Sequence, residues 1–235
     1  MSSIADNIVF VTRRIQKATA DAGRPAGSVT LLAVSKTRPA EDIRAAYEAG
    51  LTHFGENYLQ EALDKQARLT DLPLVWHFIG PIQSNKTRAI AEHFDWVHSV
   101  DREKIARRLS EQRPVHLPPL NICLQVNIDN EPTKAGVAPD DLHALANVVK
   151  DMPHLRLRGL MCIPEPKANE ADAEATFRRM AHLKDALNAS LDLNLDTLSM
   201  GMSGDIEPAI RAGATLVRVG TALFGPRAPK PQETA

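Results

Sequence analysis

Eight short β-branched or apolar runs alternate with seven longer segments of helical periodicity along this chain of 235 residues, and that alternation limits the fold more than any single residue does. The runs lie at 29–35, 52–55, 74–79, 96–100, 121–127, 156–162, 197–200 and 215–219. The segments between them, 40–49, 58–69, 84–93, 102–111, 139–150, 169–187 and 205–212, carry apolar residues at helical spacing. Regular strand–helix alternation requires parallel strands joined by right-handed crossovers, because a parallel neighbour is reached only through a long connection. Eight such units favour a closed α/β structure, a single (β/α)8 TIM barrel, over an open doubly wound sheet, and the length suits the ~250 residues such a barrel uses. Ile4, Ile8, Val11 and Ile15 predict an additional N-terminal helix, with Arg13, Arg14 and Lys17 turned away and a stop near Gly23-Arg24-Pro25. With no Gly/Ser linker inside it, residues 1–225 read as one domain, and the Pro-rich stretch 226–235 reads as a frayed tail.

Charge and apolar patterning remove several function classes. The 28 Lys and Arg against 29 Asp and Glu leave a net charge of −1, so no overall field draws the chain onto nucleic acid or an anionic membrane. No apolar run approaches the ~20 residues that cross a bilayer, and the N-terminus lacks a secretory signal pattern, which predicts a cytoplasmic protein. Cys123 and Cys162 sit in apolar segments and read as reduced, buried thiols, and the eight His show no HExxH-type spacing, so no metal is expected.

In a barrel of this kind active groups gather at the carboxyl ends of the strands. The first strand ends in Ser35-Lys36-Thr37, and alternation puts Lys36 on the same side as Leu32 and Val34, where partial desolvation favours the nucleophilic neutral amine that an imine with an aldehyde requires. On the last strand, Val217 and Val219 facing the helices would turn Leu216 and Arg218 inward, and a buried guanidinium demands an acceptor from the protein or a ligand. Strands one and eight adjoin in a closed barrel, so Lys36 and Arg218 would share a mouth. The turns Gly201-Met202-Ser203-Gly204 and Gly220-Thr221 lie in loops seven and eight, the recurrent phosphate cradle of the fold. An aldehyde, a phosphate and a ring acceptor coexist in pyridoxal 5′-phosphate. Facing an arginine, which does not readily yield its proton, the ring nitrogen stays neutral and the cofactor is a weak electron sink, which disfavours transamination.

Five motifs in order, Ala33-Val34-Ser35-Lys36-Thr37, His53-Phe54-Gly55-Glu56-Asn57-Tyr58, Trp76-His77-Phe78-Ile79-Gly80-Pro81-Ile82-Gln83-Ser84-Asn85-Lys86, Leu198-Ser199-Met200-Gly201-Met202-Ser203 and Arg218-Val219-Gly220-Thr221, resemble the pyridoxal phosphate homeostasis protein family. The resemblance implies a barrel similar to the N-terminal domain of alanine racemase with the cofactor on Lys36. It further implies Ser203, Gly220 and Thr221 at the phosphate, Arg218 at the ring nitrogen, and Asn57 and His77 lining the pocket. Gly204 departs from the family pattern, where a larger residue is expected. Family members are regarded as carriers or regulators of vitamin B6 without established catalysis, which implies delivery to recipient apoenzymes. The alternative is a slow amino-acid racemase, but a two-base racemase needs a second acid or base opposite Lys36, and ten residues after Gly225 leave no room for the domain that supplies it. That shortage also suggests a monomer. A Schiff-base aldolase working without cofactor is a third reading. Tyr58 reads mainly as a packing aromatic, Lys86 and Arg88 as a solvated first turn, Lys134 as a loop lysine at the same barrel face, and Arg102-Glu103-Lys104 with Arg107-Arg108 as an exposed helix face.

Overall fold

In the computed structural model, which describes residues 3–226, all eight expected strands form and pair in sequence order into a closed parallel barrel. They are β1 (Thr30–Val34), β2 (His53–Glu56), β3 (Val75–Phe78), β4 (Trp96–Val100), β5 (Leu120–Gln125), β6 (Leu155–Met161), β7 (Thr197–Ser199) and β8 (Leu216–Val219). Closure joins β1 to β8 with Leu32 opposite Arg218, so the first and last strands are neighbours as alternation requires. Apart from Pro226, the tail inferred from sequence lies outside the described residues.

The connecting helices are α2 (Ala40–Glu48), α3 (Leu59–Arg68), α4 (Thr87–His93), α5 (Glu103–Gln112), α6 (Leu142–Val149), α7 (Glu170–Leu191) and α8 (Ile206–Arg211), with α9 (Thr221–Phe224) after the last strand. Two expected helices open instead with a 3-10 turn, Ser84–Lys86 before α4 and Pro139–Asp141 before α6. α7 runs a turn beyond its expected end, from the Asn169 cap, whose side chain accepts from the Asp172 N–H, to Asp192 in the left-handed region. The leading helix α1 (Ile4–Asp21) is opened by a reciprocal cap between Ser3 and Asp6, worth about 1 kcal/mol. Its buried face of Ile8, Val11, Ile15 and Ala18 packs on α2, α8 and α9. Arg14, expected to face water, instead grips Glu207 of α8 with two bonds of 2.8 Å and reaches the Ser203 carbonyl at 3.4 Å. Arg108 likewise departs from an exposed face: its Nε donates to the Ser84 carbonyl at 2.9 Å.

Two apolar regions result. The large one lies between strands and helices and includes Val217 and Val219. A small separate one, Leu32, Ile79 and Leu216 with Val34 against it, lies inside the barrel, so β1 and β8 point as alternation predicted. The rest of the interior is unusually polar for this fold, with His77, His98, Ser199 and Arg218 all buried.

Candidate functional site

A cavity of about 340 Å³ opens at the carboxyl ends of the strands, lined by residues from β1, β8 and the loops after β1, β2, β3, β6, β7 and β8. Six of the seven residues singled out from sequence line it: Lys36, Asn57, Ser203, Arg218, Gly220 and Thr221. Val34, Ile79, Ile163 and Met202 supply apolar walls, and Gly204 and Arg38 complete the lining.

Lys36 leaves β1 half-buried, and the next residue, Thr37, is held at φ +63°, a strained setting for a β-branched side chain. Its N–H donates to Glu61 Oε1 at 2.5 Å. Glu61 in turn accepts from Lys65 Nζ at 2.5 Å, and the same ammonium donates at 2.8 Å to the Ser35 carbonyl and to Glu56. Ser35 Oγ completes the cluster by donating to Glu56 at 2.6 Å. Burial pushes the Glu56 carboxyl above its usual range despite Lys65 and Ser35. Thus the residues on both sides of Lys36 are tied to one buried ionic knot on β2 and α3, which sequence reasoning missed. Its signal was Glu56, an acidic residue at a strand end, with Lys65 and Glu61 four apart on the helix that follows.

Arg218 is 4 % exposed and donates to Ser199 Oγ and to the Cys162 carbonyl, both at 2.8 Å. Both acceptors are neutral, and burial pulls the guanidinium below its usual range. Asn57 lines the same cavity with a buried side-chain oxygen that has no hydrogen-bond partner, an acceptor left for a ligand's donor. Gly220 passes close to β1, where a Cβ would sit 3.3 Å from the Val34 carbonyl, whereas a Cβ on Gly204 would meet nothing within 4 Å. The Gly204 departure therefore leaves the loop open and does not distort it. Arg38 was also missed. Two residues beyond Lys36, it donates to the carbonyls of Gly225 and Pro226 at 2.5 and 2.9 Å, fastening the end of α9 beside the cavity.

His77 is a correction. It does not line this cavity but lies one layer deeper, two residues before Ile79, with its ring fully buried between His53 and His98. It reaches a separate cavity of about 230 Å³ at the opposite end of the barrel. Tyr58 is 55 % exposed and is not among the lining residues, and Lys86 and Arg88 are exposed. Lys134 pairs with Glu131 at 2.5 Å and lines a neighbouring cavity of about 240 Å³ that shares Asn57, Ile79 and Ile163 with the main one. Both cysteines are buried and unpaired with each other, their thiols pushed up to about 12 by burial and hence unreactive near neutrality.

The main cavity thus presents Lys36, Arg38 and Arg218, two hydroxyls and an unmatched amide, with no carboxylate among its described lining residues. Residues 11–228 match the family described as alanine racemase, N-terminal domain. A protein of Pseudomonas aeruginosa named pyridoxal phosphate homeostasis protein is 66 % identical over 97 % of each chain. The chain belongs to the pyridoxal phosphate homeostasis protein family. Among solved structures of that family's fold, PipY of Synechococcus elongatus PCC7942, described with PLP bound, is 43 % identical with a TM-score of 0.82 over 95 % of this chain and 100 % of that one. Alanine racemase from Corynebacterium glutamicum superposes with a TM-score of 0.70 at 16 % identity, a likeness of fold alone in which 61 % of that chain is covered. The barrel is what this chain shares with that racemase.

Proposed function

We propose that this protein holds pyridoxal 5′-phosphate on Lys36 and acts in the homeostasis and delivery of that cofactor. The observation that carries the reading is the cavity's charge: three basic side chains and no acidic one stand among the described lining residues, a composition suited to a phosphorylated dianion. Ser203, Gly220 and Thr221 hold the phosphate, and Lys36 supplies the amine. The bound cofactor's aldehyde supplies a reversible covalent attachment to such an amine, with loss of one water. Arg218 would offer the ring nitrogen a donor that does not readily give up its proton, and the unmatched Asn57 oxygen would accept from a donor on the bound group.

Carriage is favoured over turnover by what surrounds Lys36. Among the described lining residues there is no Tyr, His, Cys, Asp or Glu to act as a second acid or base. The cargo is handed to recipient apoenzymes by a cytoplasmic monomer in this reading, in line with two cysteines kept as buried thiols. No described helix is long and apolar enough to cross a membrane.

The test is an absorption spectrum before and after borohydride, followed by peptide mapping. A visible band that reduction fixes onto Lys36 is expected, and its absence from Lys36→Ala. The same band in Lys36→Ala defeats the assignment. Deuterium entering the α-carbon of amino acids faster than with free cofactor would instead favour a racemase-type enzyme.

A further inference from the structure

The barrel interior holds a continuous line of hydrogen bonds that the cofactor reading leaves unused. Arg218 Nη1 donates to Ser199 Oγ at 2.8 Å, Ser199 Oγ lies 2.7 Å from His98 Nδ1, His98 Nε2 lies 2.8 Å from His77 Nδ1, and His77 Nε2 lies 2.9 Å from His53 Nδ1. These groups come from β8, β7, β4, β3 and β2 and run from the cavity at the carboxyl ends to the one at the amino ends, which His53 lines. Ser199, His98 and His77 are wholly or almost wholly buried, and the His77 ring stacks on Trp96 with centroids 5.5 Å apart and planes 12° apart. Burial holds His98 down to about 3 and His77 well below its usual range, so both rings are neutral and each carries one proton.

The direction of the line follows from its upper end. A guanidinium has only donors, so Ser199 Oγ must accept from Arg218. If His98 also donated to Ser199, the hydroxyl would accept twice and the imidazole would turn its positive edge toward a buried cation. The reverse order satisfies every group: Ser199 donates to His98 Nδ1, His98 Nε2–H to His77 Nδ1, and His77 Nε2–H to His53 Nδ1. Each dipole then points its negative end at Arg218, and successive donors polarise one another. Together with the charge of nearby Asp205, this favours a buried cation whose two hydrogen-bond acceptors are neutral.

We propose that Ser199, His98, His77 and His53 are positioning residues for Arg218, a one-way chain of donated hydrogen bonds that keeps the guanidinium charged and aimed at the cavity. The inference rests on the reading that Arg218 meets the cofactor ring only for its functional consequence, since the chain's polarity is a property of the protein alone.

The experiment reads both separately. Long-range 15N–1H correlation spectra of the full chain without cofactor should show His77 and His98 as neutral Nε2–H tautomers. Ser199→Ala should unsettle both tautomers, move the absorption band of the cofactor-loaded protein and weaken cofactor retention about tenfold, the worth of one hydrogen bond to a charged group. His53→Leu, at the half-buried end, should disturb His77 and the band, while His53→Gln, whose amide oxygen can accept from His77, should restore both. An Nδ1–H tautomer at His98, or His53→Leu and His53→Gln giving identical His77 signals and bands, overturns the chain even if Ser199→Ala fails to fold. Correct tautomers in a protein that takes up no pyridoxal 5′-phosphate would defeat the cofactor reading and leave the chain standing as support for Arg218.

Discussion

Replacing Lys65 by methionine tests how the loop carrying Lys36 is held, because it strips the cation from a carboxylate with no exposed surface. Glu56 then either stays charged and unpaired or takes up a proton. An orphaned buried charge costs ~3–5 kcal/mol. Keeping a carboxyl protonated at pH 7 against its usual 4.5 costs at most about 3.4 kcal/mol, at about 1.36 kcal/mol per pH unit. Protonation is the easier route and sets the ceiling on the electrostatic loss. Lost contacts to the Ser35 carbonyl and Glu61 add about 1 kcal/mol.

The sign of the pH dependence follows from burial. Glu56 has its folded value raised above 4.5 even beside Lys65, so its contribution to stability is complete below 4.5 and fades as pH climbs through the folded value. The native protein stops losing stability at its own folded value, whereas the variant goes on losing it to a higher one. The gap in Tm between native and Lys65→Met protein should therefore be small at pH 5 and widen with rising pH. At pH 7 it should reach at most roughly 9 °C, about 2 °C per kcal/mol for a chain of this size. Adding Glu56→Gln removes the charge and should flatten that dependence. Scanning calorimetry from pH 5 to 8 decides it: a gap independent of pH, or a double variant as pH-sensitive as the single one, refutes the reasoning.

Three further outcomes follow. Ser203→Ala and Thr221→Ala, at cavity positions proposed above to hold the phosphate, should each weaken cofactor binding about tenfold in equilibrium dialysis while leaving the absorption band in place; a shifted band would refute that placement. Gly204→Asn, with open space around the new Cβ, should change Tm by no more than about 1 °C, and a larger fall would show that the loop is not open. Arg14→Met breaks a pair about one-third exposed, so Tm should fall by only about 2 °C, yet cofactor should leave faster because Arg14 also reaches the Ser203 carbonyl. Unchanged release kinetics would uncouple α1 from the site.

The barrel was legible because each strand satisfies a local rule: apolar residues cluster where sheet and helices meet, and period-two alternation tells inside from outside, as Val217 and Arg218 show. Lys36, Arg218 and the turns at Ser203 and Gly220-Thr221 were legible for the same reason, since they sit at strand ends that the fold brings together, whereas Asn57 came only from the family resemblance. Depth was not. His77 and Ile79 share a side of β3, but only Ile79 reaches the cavity, and which layer a residue joins depends on stagger between strands. Stagger is a nonlocal quantity here: the register slips between Val97 and Val100 and again between Ile122 and Cys123, with no mark in the sequence. The same blindness hid the interior chain, whose three histidines stand one to a strand and become neighbours only through that register. It also hid Arg14, because an amphipathic reading assigns every charge on a helix's far side to water, although α1 is flanked by α8 and its far side meets protein. What a linear reading loses is therefore one class of residue, the polar side chain whose partner is fixed by register or docking, and in this protein those residues, Arg38 apart, surround the site rather than line it.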